Sequence, residues 1–218
     1  MMATWVVHMR IADEFIKDGI VHQDFKKEFV IGSLAPDCGY GKKDSYGDFS
    51  PPPKVTHWTP YGIKVFCKYD EFYDTYLKDK EEDSDYYFYF GYYIHLITDV
   101  LWSASVFLPT KIKYAEEYKK NSDYLKIIKK DWYDLDYKYL NDHQNFEPYY
   151  ILKNTESVKD YLPYYEKGQL TKQIRFIADY YINRENRSVD RKFQFLTEND
   201  VNEFIRIAKK LIVQKLCV

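Results

Sequence analysis

The sequence predicts an all-α fold, and three observations carry that expectation. Apolar residues recur at helical spacing in several segments. Only 8 Gly and 8 Pro punctuate 218 residues, too few for a many-turned β-sandwich or barrel. The hydrophobic fraction is 45%, with 24 Tyr, 14 Phe and 4 Trp, so a ring-rich core can be buried and disorder is ruled out. The formal net charge is −2, a near-balance that argues against broad, charge-driven nucleic-acid binding but leaves room for a small pocket holding one phosphate. Length and the lack of any repeat, linker or low-complexity tail suggest one helical domain over residues 1–218.

The elements follow in order. Over residues 4–18, His8, Ile11, Ala12, Phe15 and Ile16 fall on one helical face, with Thr4 placed to cap the start and Gly19 to close the end. A short helix over 24–31 is cut off by Gly32-Ser33-Leu34-Ala35-Pro36-Asp37, because Pro36 stops propagation and leaves Asp37 in a loop or at the start of a new turn. Residues 38–56 hold Gly39, Gly41, Gly47 and Pro51-Pro52-Pro53 and read as an irregular surface excursion. A helix is expected to begin near Thr59-Pro60 and to continue through Phe66, Tyr69, Tyr73, Tyr76 and Leu77, followed by a charged connector from Lys78 to Asp85.

The most apolar stretch, about Tyr86 to Phe107 with Pro109 as a stop, is expected to be a central helix. Its Tyr86–Trp102 section contains His95 and Asp99 and falls short of the roughly 20 apolar residues of a membrane span. Residues 111–144 have helical composition with a less clean period, and 156–165 and 169–184 read as two more helices. Thr197-x-x-Asp200 resembles a capping box ahead of a helix that carries Val201, Phe204, Ile205, Ala208, Leu211 and Ile212 on one face.

Cys38, Cys67 and Cys217 are widely spaced, odd in number and without a CxxC, which speaks against a disulfide framework or a cysteine zinc knuckle. The first residues show no basic segment followed by an apolar core, and the last four are not a prenylation box, so the expected compartment is the cytoplasm.

The chemistry is concentrated in few residues. Of five histidines, His8, His57 and His95 lie on or beside apolar surface. Asp99 follows His95 by four residues, so on a helix the imidazole and the carboxylate project from one face into the core. A buried carboxylate without a partner costs several kcal/mol or takes a proton, and a divalent cation resolves that cost while binding both groups. Imidazole with carboxylate suits zinc, iron or manganese. A hydrogen-bonded His–Asp couple without metal, a satisfied core histidine at position 8 and an ordinary turn aspartate at position 37 are the plain structural alternatives.

In chain order the sequence reads His8-x-x-Ile11-Ala12, Gly32-Ser33-Leu34-Ala35-Pro36-Asp37, Thr56-His57-Trp58, and Gly91-x-x-x-His95-x-x-x-Asp99. This succession, over about residues 4–103, resembles the zinc-dependent phospholipase C family. G-S-x-x-P-D and T-H-W look like the N-terminal domain of glycosylphosphatidylinositol-specific phospholipase D, and the G-x-x-x-H-x-x-x-D helix is similar, more distantly, to fungal nucleases of the S1/P1 type. The resemblance implies an all-helical fold with zinc in a central cleft. Asp37, His57, His95 and Asp99 would hold the principal metal, and a second would share Asp99 and take His8. A metal-bound hydroxide would attack phosphorus, with Asp37 as the catalytic residue that orients or deprotonates the water.

The chain departs from that pattern. Secreted members bind a metal through the amino group of an N-terminal Trp, whereas Trp5 is internal here. No His occurs from Val100 to Thr110 for a third site; His143-x-x-x-Glu147 has the internal spacing, but Pro148 follows it. Two sites are therefore expected rather than three, with iron or manganese as other possible occupants, and His22 is expected to play no part. The implied reaction is hydrolysis of a phosphodiester or phosphomonoester, on a small phosphate ester or a phospholipid headgroup. Two other readings stand beside it: a helical metal-binding protein without turnover, and an HD-type phosphohydrolase, for which no His here is followed by Asp. The tyrosine-rich central helix and the nearby Trp5 and Trp58 suggest aromatic walls for a low-dielectric cleft, with hydroxyls available to orient ligands.

Overall fold

The computed structural model describes residues 2–41, 49–182 and 189–216. Among them the secondary structure is helical apart from one small antiparallel hairpin, β1 (Tyr40–Gly41) with β2 (Phe49–Ser50). Chain order gives α1 (Trp5–Lys17), α2 (Lys26–Gly32), α3 (Pro53–Thr56), α4 (Tyr69–Tyr76), α5 (Ser84–Trp102), α6 (Leu108–Lys113), α7 (Ala115–Lys120), α8 (Tyr124–Asp142), α9 (Glu147–Lys153), α10 (Gln169–Tyr180) and α11 (Glu198–Leu216). The expected all-α class is what forms. Part of the 38–56 excursion, the last two residues of the 169–184 helix and Cys217 lie outside the described residues.

At the centre runs α5. Its buried side includes Phe88, Tyr92, Leu96 and Trp102, and α1, α2, α4 and α11 pack around it. The α2–α5 crossing is a backbone-to-backbone contact. A Cβ on Gly32 would stand 2.0 Å from the Phe88 carbonyl oxygen, and one on Gly91 would stand 2.1 Å from that of Phe29. Only glycine at both positions permits this approach. Among the described residues no helix is long and apolar enough to cross a membrane; α5 is a core helix.

Several local expectations are corrected. Thr4 precedes α1 but makes no capping bond; its hydroxyl donates to Asp136 Oδ1 at 2.7 Å, and Tyr181 donates to the other oxygen at 2.8 Å, tying the N-terminal segment to α8. No helix starts at Thr59-Pro60. Trp58 and Gly62 take left-handed φ values of 50° and 69°, which no continuous α-helix accommodates, and α4 begins only at Tyr69. The Lys68 N–H donates to the Trp58 carbonyl at 2.8 Å, closing a loop that turns Lys64 inward.

Pro109 does not stop the central helix. A π-helical turn over Ser103–Phe107 intervenes, and Pro109 falls in the first turn of α6, where a missing N–H costs nothing. The 111–144 section is divided among α6, α7 and α8.

Residues 156–165 form no helix. Pro163 lacks the donor a helix needs, and tyrosines hold the segment across α5 instead. Tyr161 stacks on Phe88 at 3.8 Å and its carbonyl accepts from the Tyr89 hydroxyl at 2.8 Å, while the Tyr164 hydroxyl donates to that of Tyr92 at 2.8 Å. The Thr197–Asp200 capping box forms as expected: the Asp200 carboxylate accepts from the Thr197 N–H at 2.8 Å and the Thr197 hydroxyl from the Asp200 N–H at 3.2 Å.

Candidate metal centre

Four segments meet at one buried point. His8 comes from α1, Asp37 from the 3₁₀ turn after α2, His57 from the end of α3, and His95 and Asp99 from α5. His8, His57, His95 and Asp99 are all at most 2% exposed, and the Asp37 side chain is 4% exposed. All five residues that the sequence singled out are therefore brought together.

The second-layer contacts fix how each ring is presented. His95 Nδ1 lies 2.8 Å from the Ser33 carbonyl oxygen, an acceptor, so that nitrogen carries the hydrogen and Nε2 keeps its lone pair. The Gly32–Gly91 crossing makes this bond possible, because it brings the end of α2 against α5. His57 Nδ1 is similarly placed at 3.2 Å from the Pro53 carbonyl and 2.9 Å from the Thr56 hydroxyl, turning Nε2 inward. Tyrosine hydroxyls anchor the segments that carry the candidate ligands. Tyr92 on α5 donates to the Thr56 carbonyl, and Tyr165 donates to the Ala35 carbonyl at 2.5 Å, beside Asp37. Gln169 holds both ends of the hairpin segment, donating to the Cys38 carbonyl at 2.8 Å and to that of Ser50 at 2.7 Å.

The inward atoms form a compact set. His57 Nε2 is 3.1 Å from Asp37 Oδ1 and 3.6 Å from Asp99 Oδ2; His95 Nε2 is 4.0 and 3.6 Å from the same two atoms. A tetrahedral zinc with bonds of about 2.0–2.2 Å requires ligand–ligand edges of about 3.4 Å; His57, His95 and Asp99 form one group spaced to hold a metal ion, and His8, Asp37 and His95 form another. His95 Nε2 and both ring nitrogens of His8 are buried without a hydrogen-bond partner. Orphaned buried nitrogens are costly, and a metal ion would satisfy His95 Nε2, which lies beside both carboxylates. His8 stacks on His95 at 3.7 Å, with Nε2 at 3.5 Å from Asp99 Oδ1.

Two groups near Asp99 belong to none of the sequence motifs. The Lys64 ammonium, in a residue only 8% exposed, contacts Asp99 Oδ2 at 2.5 Å, and the Ala3 N–H donates to Oδ1 at 2.9 Å. Lys64 lies in the apolar run Ile63-Lys64-Val65-Phe66, a charge out of keeping with its neighbours, which is the one hint a sequence reader had. The remaining histidines stand apart. His22 is exposed and its Nδ1 accepts from the Asp24 N–H; His143 is exposed at the end of α8, and Glu147 pairs with Lys26 at 2.9 Å. Among the described residues, His143 and Glu147 join no metal-ligating group.

A cavity of about 510 Å³ reaches Asp37, walled by Trp5, Tyr40, Trp132 and Phe176, with Lys129 at its side. The rings of α5 are not this wall. Phe88, Tyr92 and Trp102 are spent in the core, on Tyr161, Phe72 and Trp132. The aromatic lining comes instead from α1, the hairpin, α8 and α10.

Burial, with the neighbouring His95, pushes the His8 imidazole below its ordinary value of 6.5. Burial also raises the two carboxyls, but this is overcome: the His57 hydrogen bond holds Asp37 low, and Lys64 with His8 and His95 holds Asp99 well below the usual carboxylate range. His8 is therefore neutral and both acids are charged at neutral pH, the forms that bind metal. Below pH 6.5 the unfolded chain takes up a proton on His8 that the folded chain refuses, so stability falls as pH falls. The acids add a further loss below their ordinary value of 3.8. The melting temperature is expected to drop between pH 7.5 and about pH 5.5 on this linkage; a flat profile would contradict a neutral, buried His8.

The family profile described as Zinc dependent phospholipase C matches residues 7–210. The chain belongs to the zinc-dependent phospholipase C family. The match extends beyond the four motifs to α11, so the phospholipase C family relationship spans nearly the whole helical assembly. No curated protein and no solved structure matches the chain.

Proposed function

We propose that this member of the family hydrolyses a phosphate ester, a phosphodiester above all, at a zinc centre formed by Asp37, His57, His95 and Asp99. The convergence of His57, His95 and Asp99 into one buried group, with Asp37 Oδ1 3.1 Å from His57 Nε2 and 4.0 Å from His95 Nε2, carries the reading. When bound, zinc supplies a Lewis acid for phosphate oxygens and lowers the pKa of water. The chain's own groups do the rest. Ser33 and Pro53 carbonyls hold the two rings in the ligating tautomer. Asp37 Oδ1 faces His57 while the residue lines the cavity, which leaves Oδ2 to accept a proton from an attacking water. Lys129 lies at the cavity, near enough to Asp37 and Asp99 to feel both charges, and is placed to attract an anionic substrate. The aromatic walls exclude water and suit an ester whose leaving group is apolar, a phospholipid headgroup with its first carbons or a soluble aryl ester.

The first test is hydrolysis of bis-p-nitrophenyl phosphate. Activity should be abolished by chelator and restored by zinc, and Asp37→Asn should lower kcat at least about a hundredfold, the lower range for loss of a general base. Zinc bound without hydrolysis at any pH would favour the reading in which the centre serves structure alone. That reading draws on one observation, the engagement of both Asp99 oxygens by Lys64 and Ala3.

A further inference from the structure

We propose that Lys129 makes the cavity select its ester by charge: headgroups that are neutral or anionic are taken, and those that end in an ammonium are rejected. This rests on the phosphoesterase reading above and narrows the headgroup that it leaves open.

Three features of the cavity carry it. First, its wall holds a cation that packing leaves unanswered. Lys129 lines the cavity from α8, and among the described residues its ammonium makes no ion pair, whereas Lys126 and Lys138 of the same helix pair with Asp123 and Asp142. Burial lowers its pKa and Asp37 and Asp99 raise it, so it stands within electrostatic reach of the centre. Second, no carboxylate is left over for a cationic headgroup. Asp37 and Lys129 are the only charged side chains among the described residues that line the cavity, and Asp37 belongs to the centre itself. Third, the aromatic walls offer an ammonium little. A cation can rest on a ring face within about 6 Å of its centroid, but the Tyr133 face already carries the Lys129 ammonium at 5.9 Å. Trp5 packs at right angles on Tyr180 and Tyr181, and Phe176 is 55% exposed, so water weakens a cation contact there. A sphere of about 510 Å³ is roughly 10 Å across, about one Debye length at 0.1 M salt, so an ammonium inside it would stand largely unscreened from Lys129. The polar groups that remain, the Lys129 ammonium and the Gln173 amide, offer N–H donors suited to hydroxyl or acid oxygens.

The test uses three p-nitrophenyl phosphodiesters that share a leaving group and differ in the second substituent: 2-carboxyethyl, ethyl and choline. With the zinc-loaded full chain, kcat/KM should fall in that order, the choline ester at least about tenfold below the ethyl ester, the scale of one like-charge encounter in a partly dry site. Lys129→Met, which keeps the reach of the side chain and drops its charge, should bring the choline ester to within about threefold of the ethyl ester, and Lys129→Glu should put it first. Lys129→Gln serves in place of the methionine variant if that one folds poorly. Calorimetric binding of 2-carboxyethyl phosphate, ethyl phosphate and phosphocholine to the same proteins reads the preference without turnover. Equal kcat/KM for the ethyl and choline esters in the wild type, or a preference that survives in folded, zinc-bound Lys129→Met, would overturn the inference. A zinc-bound wild type that hydrolyses none of the esters but binds the three phosphates in the expected order would overturn the hydrolase reading and leave charge selection standing; no hydrolysis and no order in binding would overturn both.

Discussion

His95→Ala is expected to empty the centre of zinc and to remove hydrolysis with it. The imidazole belongs to both buried ligand sets, and its Nε2 has no other partner. Removing a side chain that merely supports a metal ligand costs about 10–100-fold in metal affinity or activity; removing a ligand shared by every arrangement the site can adopt should cost more. The substitution also deletes the ring on which His8 stacks at 3.7 Å, opening a cavity beside Asp99. Two carboxylates then remain with Lys64 as their nearest buried cation. Zinc analysis, chelator-sensitive hydrolysis and thermal melting should all register the change. His22→Ala and His143→Ala provide the comparison, since both residues are exposed and away from the cluster, and they should keep wild-type zinc content. Zinc retained in His95→Ala at wild-type affinity would sink the assignment.

Gly91→Ala should be as damaging while touching no ligand. The added methyl would lie 2.1 Å from the Phe29 carbonyl oxygen and 2.8 Å from the Ser33 nitrogen, both backbone atoms that cannot rotate away. Overpacking usually costs about 1–3 kcal/mol, more when nothing can yield. Here α2 and α5 must separate, so about 3 kcal/mol is expected. At roughly 2–4 °C per kcal/mol for a chain of this size, that is a fall of about 6–12 °C in Tm. Function suffers by a specific route. As α2 withdraws, the Ser33 carbonyl leaves His95 Nδ1, the ring loses its fixed tautomer, and zinc affinity should drop about 10–100-fold. An unchanged Tm together with unchanged zinc affinity would show that the helices do not cross as closely as described.

The glycine argument shows how the motif and the fold relate. In the sequence, Gly32 and Gly91 are parts of two short patterns 59 positions apart, with no visible reason to go together. In space they are the two sides of one crossing, and the crossing delivers the Ser33 carbonyl to His95 Nδ1. The periodic segments were readable because burial of one helical face is written locally: α1, α5 and α11 follow the apolar spacing directly. The segment 156–165 was not, because its tyrosines are held by rings and hydroxyls of α5, partners that its own ten residues do not reveal even though Pro163 already weighs against a helix.

The sequence by itself determined the helical class, since helix period is a local property, and it pointed to the five candidate residues through ordered motifs that resemble the phospholipase C family. The tertiary structure alone decided the electrostatics around Asp99. Lys64 and the Ala3 amide arrive from segments 35 and 96 positions away and meet both carboxylate oxygens. A buried charge must be answered by whatever donors the packing brings within reach, and that is settled by the closing of the chain, not by the order of its residues.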